Sequence, residues 1–273
     1  MSLLHELIVK LYYYMITLTI CSLAGGQGKT SSAYFVARML ASKYKVLLVD
    51  GDPQSSLTLY SRHQTKQDEP SLFEVLKGIV KPIDAVYQLG IPNIYLIPSD
   101  DGLDKIQQHL ADSGMGGLML RKYLKPLNDL FDFCIIDSPP QRSQLCISCM
   151  GAANKLLISC ECTIKGVQSL LRTIDTISEL KDIELLNGDI LGVLPFKDVW
   201  VGANQTTTSK KAITLIKSTA MEENLKVFPS ILQSERHKQA MDSSKTLSET
   251  GYKDLENPFI QVVEDLELCV LRK

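Results

Sequence analysis

A glycine-rich turn between an apolar strand and a helix constrains the fold more than any other feature of this sequence. The stretch CSLAGGQGKTSS, residues 21–32, ends in G-K-T like a phosphate-binding loop, but Leu23 stands where the usual loop has its first glycine. Two glycines at positions 25 and 26 occur instead. Backbone N–H groups in such a turn, and the helix that starts behind it, attract phosphate. The turn therefore predicts a nucleotide site of variant form, built from Gly25, Gly26, Gln27, Gly28, Lys29, Thr30 and Ser31.

Strands and helices alternate along the rest of the sequence. The predicted strands are apolar runs, and the predicted helices carry apolar residues at helical spacing. Strands that are apolar on both sides are typical of a parallel sheet covered on both faces, so we expect an α/β fold with a doubly wound, mainly parallel sheet. The predicted strands are 15–24, 45–50, 93–99, 131–140, 155–160, 189–196 and 225–232. The predicted helices are 31–44, 71–80, 118–130, 167–180, 212–223 and 258–273.

Composition limits the classes to which the protein can belong. The chain has 273 residues, a net charge of −2 and seven cysteines. No apolar run reaches membrane-spanning length, and Glu6 and Lys10 interrupt the first residues in a way that is foreign to a secretion signal. We therefore expect a cytoplasmic protein with reduced thiols. The strand before the glycine-rich turn begins at about Met15, so residues 1–14 are predicted to be an N-terminal extension, either from an alternative start or as a short leading helix. No composition break divides the rest of the chain, which predicts a single P-loop domain over 15–273.

Three aspartates come at or just after the ends of two predicted strands. Asp50 and Asp52 follow the run VLLV, and Asp137 follows FCII. Because the carboxyl ends of parallel strands meet at the edge that binds ligands, these carboxylates are expected beside the glycine-rich turn. We assign Mg²⁺ binding to Thr30, Asp137 and Asp50, and the orientation of an attacking water to Asp52. Lys29 is expected to contact the β- and γ-phosphates.

Three stretches, AGGQGKT, VLLVDGDPQSSLT and FDFCIIDSPP, resemble the deviant Walker A, Walker A′ and Walker B motifs of the ParA/MinD ATPases. The resemblance covers about residues 15–250. It implies a P-loop ATPase that binds ATP and Mg²⁺, forms a nucleotide-sandwich homodimer, hydrolyses ATP to ADP and phosphate, and positions a cargo through an adaptor protein such as a ParB-like one. By the family pattern Lys29 and Asp52 support catalysis, and Pro195 and Phe196 line the adenine pocket.

The sequence departs from the family at the first position of the loop. The family has a lysine there that reaches the partner's ATP across the dimer, and this sequence has Ala24. Lys165 follows the carboxyl end of a predicted strand, on the ligand edge, whereas Lys155 opens that strand at the opposite edge. We hypothesise that Lys165 replaces the missing lysine in catalysis; the alternative is a solvated lysine before a helix. A loop without this lysine resembles the ParA-like branch that distributes carboxysomes in cyanobacteria.

Two surfaces compete as the target of the ATP switch. MinD-like members bind membrane through a basic terminal helix, but here that helix carries Glu264, Asp265 and Glu267, which favours packing on the domain and no membrane contact. ParA-like members bind DNA without sequence preference, and basic residues are frequent in the last third of the chain. We therefore predict a nucleoid-associated protein whose basic face contacts DNA phosphates. The residues of this basic face are Lys210, Lys211, Lys217, Lys226, Arg236, Lys238 and Lys245.

Two other classes remain as alternatives. Cys146 and Cys149 form a C-x-x-C pair, with Cys160 and Cys162 beyond it, and the related nitrogenase iron-protein branch binds an iron–sulfur cluster with cysteines. The spacing matches no standard zinc or ferredoxin motif. The other class is an ATP-dependent ligase or kinase, for which no second-substrate motif is found. The polar stretch 198–209, which contains the sole tryptophan, has no assigned role.

Overall fold

An eight-stranded sheet runs through the computed structural model, which describes residues 14–66 and 68–271. The strands lie in the order β10-β7-β6-β1-β5-β2-β4-β3. All neighbours in this sheet pair in parallel except β3, which runs antiparallel to β4 at one edge. The strands are β1 (Ile16–Cys21), β2 (Val46–Asp50), β3 (Tyr87–Gln88), β4 (Ile94–Ile97), β5 (Phe133–Asp137), β6 (Lys155–Glu161), β7 (Asp189–Asp198) and β10 (Ile231–Leu232). A separate hairpin pairs β8 (Trp200–Val201) with β9 (Asn204–Gln205).

Helices cover both faces of the sheet. Alternate residues of β1 show why: Ile16, Leu18 and Ile20 pack into the layer formed by the first and last helices, while Thr19 on the opposite face donates a hydrogen bond to the Cys149 carbonyl at 2.8 Å. The doubly wound fold predicted from the sequence is confirmed. The helices are α1 (Lys29–Leu40), α2 (Ser56–Tyr60), α3 (Leu72–Leu76), α4 (Ile106–Asp112), α5 (Gly116–Leu124), α6 (Gln144–Gly151), α7 (Ile164–Asp182), α8 (Thr207–Glu222), α9 (Glu235–Asp242) and α10 (Asn257–Leu271).

The order of the strands places the glycine-rich turn at the centre of the sheet. β1 lies between β5 and β6, so the chain turns to opposite sides of β1 in the two halves of the fold. Ligands of open α/β sheets bind at this reversal point, beyond the carboxyl ends of the strands. The turn after β1 and the aspartates that end β2 and β5 therefore share one edge.

The structure differs from the sequence-based elements in a few places. The strand predicted over 225–232 is mostly irregular, because only Val227 forms an isolated bridge before the two residues of β10. Pro229 interrupts this segment and cannot donate to a ladder. Helices α2, α4, α6 and α9, the two-residue strand β3 and the β8–β9 hairpin were not predicted. The extension predicted over 1–14 falls, except for Tyr14, outside the described residues, and the single-domain organisation stays a prediction.

The closing helix α10 packs on the domain, as its acidic composition predicts. Phe259, Val262 and Leu266 are fully buried against α1. No helix within the described ranges is both long enough and apolar enough to cross a bilayer.

Candidate nucleotide site

The turn after β1 has a backbone that requires glycine. Gly26 and Gly28 have φ angles of +75° and +85°, in the left-handed region that glycine adopts without strain. At Gly28 a Cβ atom would lie 2.5 Å from the ring of Phe196. The loop is therefore fixed both by its own dihedral angles and by a close approach to β7, and α1 begins directly behind it at Lys29.

Lys29 is a buried cation at the start of α1. Its side chain is only 6% exposed, and its ammonium donates to the carbonyl of Ala24 at 3.1 Å. Among residues 14–66 and 68–271 no carboxylate lies within ion-pair distance of this ammonium. Burying a charge without a counter-ion is costly, so such a lysine favours the arrival of an anion such as phosphate.

Gln27 ties the loop to β6, a role that reasoning from the sequence missed. Its side-chain oxygen accepts a hydrogen bond from the Glu161 N–H at 2.8 Å, and its amide donates to the Gly25 carbonyl at 3.2 Å. The Ser159 hydroxyl donates to the backbone carbonyl of Gln27. The side chain thus holds the loop in shape. The spacing of loop and strand in the sequence carried no signal for this contact.

Asp137 and Thr30 meet at the carboxyl end of β5. The Thr30 hydroxyl donates to Asp137 Oδ2 at 2.5 Å, and Asp137 Oδ1 is buried without a hydrogen-bond partner among the described residues. Burial, followed by the nearby Asp50 carboxylate, raises the pKa of Asp137 to about 8. An orphaned carboxyl oxygen beside a hydroxyl is a donor set that suits Mg²⁺, which prefers oxygen ligands and would stabilise the ionised form of this buried carboxyl.

Asp50 is fixed by the helix that follows it. Both the N–H and the hydroxyl of Thr58 in α2 donate to Asp50 Oδ2 at 2.7 Å. Burial raises the pKa of Asp50 to about 6, against the opposing effect of these hydrogen bonds. Gly51 lets the two strand ends approach, because a Cβ there would lie 2.8 Å from the Asp137 carbonyl oxygen.

Asp52 lies half-buried at the same edge. Its Oδ1 accepts from the Gln54 N–H at 3.0 Å, and its carbonyl accepts from the Ser99 hydroxyl at 2.8 Å. No hydrogen bond within the described residues occupies Oδ2, which leaves that oxygen for water. The structure thus brings together the loop and the three predicted aspartates.

The remaining predicted site residues line the same edge at different depths. Lys165 is exposed in the first turn of α7, and Lys155 pairs with Asp189 at 3.2 Å at the other end of β6, so the two lysines lie at the two edges expected. Pro195 is buried inside β7, while Phe196 is half-buried against Gly28. Ser31 lies in the first turn of α1. None of these positions establishes a role, and the roles stay predictions.

The predicted DNA-contacting residues fall into two groups rather than on one helix face. The first group is on α8, which packs with α7 in one layer, and the second is on and after α9, which packs with α1 in the other layer. Lys226 is already engaged, since it pairs with Asp265 at 2.6 Å. The exposed residues of the first group are Lys210, Lys211 and Lys217, and those of the second are Arg236, Lys238 and Lys245.

The cysteines do not form a cluster site. Six of the seven, among them Cys146, Cys149, Cys160 and Cys162, are buried. Burial raises the pKa of each of these four thiols. Within the part of the chain that the structure describes, no group of three or more His, Cys, Asp or Glu residues is arranged to hold a metal. The geometry gives the iron–sulfur alternative no support.

Comparison with known proteins decides the family. A family model described as an AAA domain matches residues 15–186. The Maintenance of carboxysome distribution protein A (McdA) of Gloeothece citriformis is 50% identical over 252 residues, which are 92% of this chain and 97% of that protein. The chain belongs to the ParA family of ATPases, in its McdA-like branch.

Solved structures of McdA agree with this assignment. Apo McdA of Cyanothece gives a TM-score of 0.90 at 50% identity, over 93% of this chain and 100% of that one. An Asp-to-Ala variant of Cyanothece McdA in complex with ATP gives a TM-score of 0.91 at 49% identity, over 94% and 98%. The resemblance read from the Walker motifs is confirmed at the level of family and fold.

Proposed function

We propose that this chain is an ATPase that dimerises around ATP, binds DNA without sequence preference and distributes carboxysomes through a ParB- or McdB-like adaptor. One observation carries the proposal: beside one variant loop, the structure describes a buried lysine that forms no ion pair and an aspartate oxygen that has no hydrogen-bond partner among the described residues, in a chain half identical to McdA. A Mg²⁺-bound nucleotide would supply an anion to the lysine and a cation to the aspartate.

Each residue of the site has a distinct task in nucleotide binding. The loop N–H groups and the Lys29 ammonium hold the phosphates, and Gln27 keeps the loop in the required shape. Thr30 and Asp137, with Asp50 behind them, would hold Mg²⁺, which neutralises charge on the phosphates when it is bound. The Phe196 ring lies against Gly28, and Pro195 precedes Phe196 in β7. This end of β7 is therefore our candidate for the adenine side of the site.

Hydrolysis requires a positioned water and a positive charge near the transferred phosphoryl group. Asp52 Oδ2, which accepts no hydrogen bond from the part of the chain that the structure describes, is our candidate to orient the water. Ala24 supplies no charge, and Lys165 is an exposed cation on the same edge, so we assign the trans contact to Lys165 of the opposite protomer. A lysine held elsewhere by a carboxylate, as Lys155 is by Asp189, could not take this role.

A DNA-retention experiment tests the proposal. The protein is passed over immobilised non-specific double-stranded DNA with ATP, with ADP and without nucleotide, at low and at moderate salt. We expect retention with ATP only, weakened by salt, because phosphate contacts release counter-ions. Equal retention in all three states, or none in any, would contradict the DNA part of the proposal.

Matched lysine variants separate catalysis from binding. Lys165→Ala should lower ATP turnover by about 10-fold or more, since it removes a charge next to the reacting phosphate. Lys155→Ala removes a lysine from the same strand–helix unit at the opposite edge and should leave turnover unchanged. A Lys165→Ala protein that dimerises and hydrolyses ATP like the parent would refute the trans role.

A further inference from the structure

Helix α2 is hydrogen-bonded directly to the edge of the sheet that carries the candidate nucleotide site. Thr58 in its middle donates two hydrogen bonds to Asp50, and the Ser99 N–H donates to the Thr58 hydroxyl at 3.1 Å. A displacement of Asp50 on binding of nucleotide and Mg²⁺ would therefore be transmitted to α2 through these hydrogen bonds. The helix has only five residues, so it is short enough to respond as one body.

Two left-handed residues bracket this helix. Ser55 before it and Arg62 after it both have a φ angle of +54°, which is unfavourable for residues with a side chain. Such positions store backbone strain and concentrate at switch regions. They give α2 a hinge-like backbone at either end.

Arg62 connects this hinge to the far helix α9. Its guanidinium donates to the backbone carbonyl of Asp242, the last residue of α9. The last carbonyls of a helix lack intrahelical partners and carry partial negative charge, so an arginine there is favourable. The three preceding carbonyls, of residues 239–241, are already taken by N–H groups of residues 243–245, which leaves the Asp242 carbonyl to Arg62.

Helix α9 carries one of the two groups of basic residues. Arg236 and Lys238 project from it and Lys245 follows it, while Ala240 and Met241 anchor its other side in the core. A displacement of the carboxyl end of α9 would change the positions of these cations while the core contacts of the helix are kept. The path from Asp50 to the basic helix thus consists of Thr58, α2, Arg62 and the end of α9.

We propose that Arg62 is a positioning residue that couples the nucleotide state at Asp50 to the DNA-contacting arrangement of α9. The inference rests on the proposed DNA-binding function and adds the route by which ATP would control it. It assigns no catalytic contact to Arg62, which lies exposed on the surface. The coupling is reciprocal, so DNA should also shift ATP affinity through the same residue.

The test measures DNA retention with ATP divided by DNA retention with ADP, and compares this ratio between the parent and its variants. Arg62→Ala should lower this ratio by about 5-fold or more, while Arg62→Lys, which keeps a donor and a charge, should restore part of it. ATP affinity measured without DNA and the urea midpoint should stay close to those of the parent, because one exposed hydrogen bond contributes little to either. A merely structural role for Arg62 would move the urea midpoint and leave the ratio unchanged.

A matched control and a second variant complete the design. Lys43→Ala removes another surface contact between distant elements, its ion pair with Glu267 at 3.1 Å, and should leave the ratio unchanged. Thr58→Val cuts the path at its other end, and the double variant with Arg62→Ala should lose no more than the larger single effect. If the parent shows no ATP-dependent retention, the proposed function fails; if the parent shows it and Arg62→Ala retains the full ratio, this inference fails.

Discussion

At the residue scale, the loop glycines differ in what constrains them. Gly26 has a left-handed backbone but open space around it, whereas Gly28 combines the same backbone with the ring of Phe196 where a Cβ would be. Replacement of Gly26 by alanine therefore tests the cost of the backbone conformation alone, whereas the same replacement at Gly28 adds the cost of the steric clash with Phe196.

We expect Gly28→Ala to cost at least about 2 kcal/mol of unfolding free energy and to abolish ATP binding, because the backbone strains and the Phe196 ring must move. Gly26→Ala should cost about 1 kcal/mol, from the dihedral alone. Urea unfolding and titration with a fluorescent ATP analogue measure both. Equal effects for the two variants would contradict the role of Phe196.

The buried carboxyls also predict a dependence of stability on pH. Since burial raises the pKa of Asp50 to about 6 and that of Asp137 to about 8, the folded apo protein holds protons that the unfolded chain has released above about pH 4. The contribution of this pair to unfolding free energy is therefore present at low pH and declines as pH rises toward 8. We expect Asp137→Asn to flatten the decline in urea midpoints measured from pH 5 to 8 without Mg²⁺. A parallel pH profile in the variant would show that Asp137 does not hold the proton.

At the element scale, the sequence predicted the elements that are formed by long apolar segments. β1, β2, β5 and β6 are runs that are buried on both sides, and a parallel sheet is the fold that needs them. The elements that were missed are short, and contacts with residues distant in the sequence hold them in place. Helix α9 is largely polar, and its position depends on Ala240 and Met241 reaching α1. Likewise the motifs located the candidate site, but the hydrogen bonds of Gln27 to β6 join residues 132 and 134 positions apart and have no local pattern.

The β8–β9 hairpin is such an element, organised by one buried carboxylate. Asp198 is 3% exposed and accepts from the Trp200 indole at 3.0 Å, the Gln205 amide at 2.8 Å and the Ser230 hydroxyl at 2.8 Å. Trp200 itself is 47% exposed.

We expect Asp198→Ala to free the hairpin, because three donors lose their common acceptor. Trp200 is the only tryptophan, so its emission should shift to the red and its quenching by acrylamide should rise. Val201→Ser, on the same hairpin but 71% exposed, is the control and should leave the spectrum unchanged. An unchanged spectrum in Asp198→Ala would mean that the turn alone holds the hairpin.

At the scale of the whole molecule, α10 joins the end of the chain to the helix behind the phosphate loop. The rings of Phe259 and Phe35 lie 5.0 Å apart between α10 and α1, and the His237 ring of α9 lies near both. Helix α10 is thus part of the hydrophobic core against which α1 packs.

Phe259→Ala should lower the unfolding free energy by about 3–5 kcal/mol, since it leaves a cavity between two helices and the sheet. The neighbouring Ile260 is 37% exposed, and its replacement by alanine should cost less than about 1 kcal/mol. Urea denaturation followed by circular dichroism measures both. If Phe259→Ala unfolded at the parent's midpoint, α10 would not belong to the cooperative core.

The distribution of thiols has a practical consequence for following this protein at work. Six cysteines are buried in the core, and Cys269, near the end of α10, is the one that is partly accessible. A maleimide dye under native conditions should therefore attach at a single position of the natural sequence, far along the chain from the phosphate loop. One fluorophore per protomer, without prior removal of cysteines, would allow individual molecules to be tracked as they move over a DNA-coated surface.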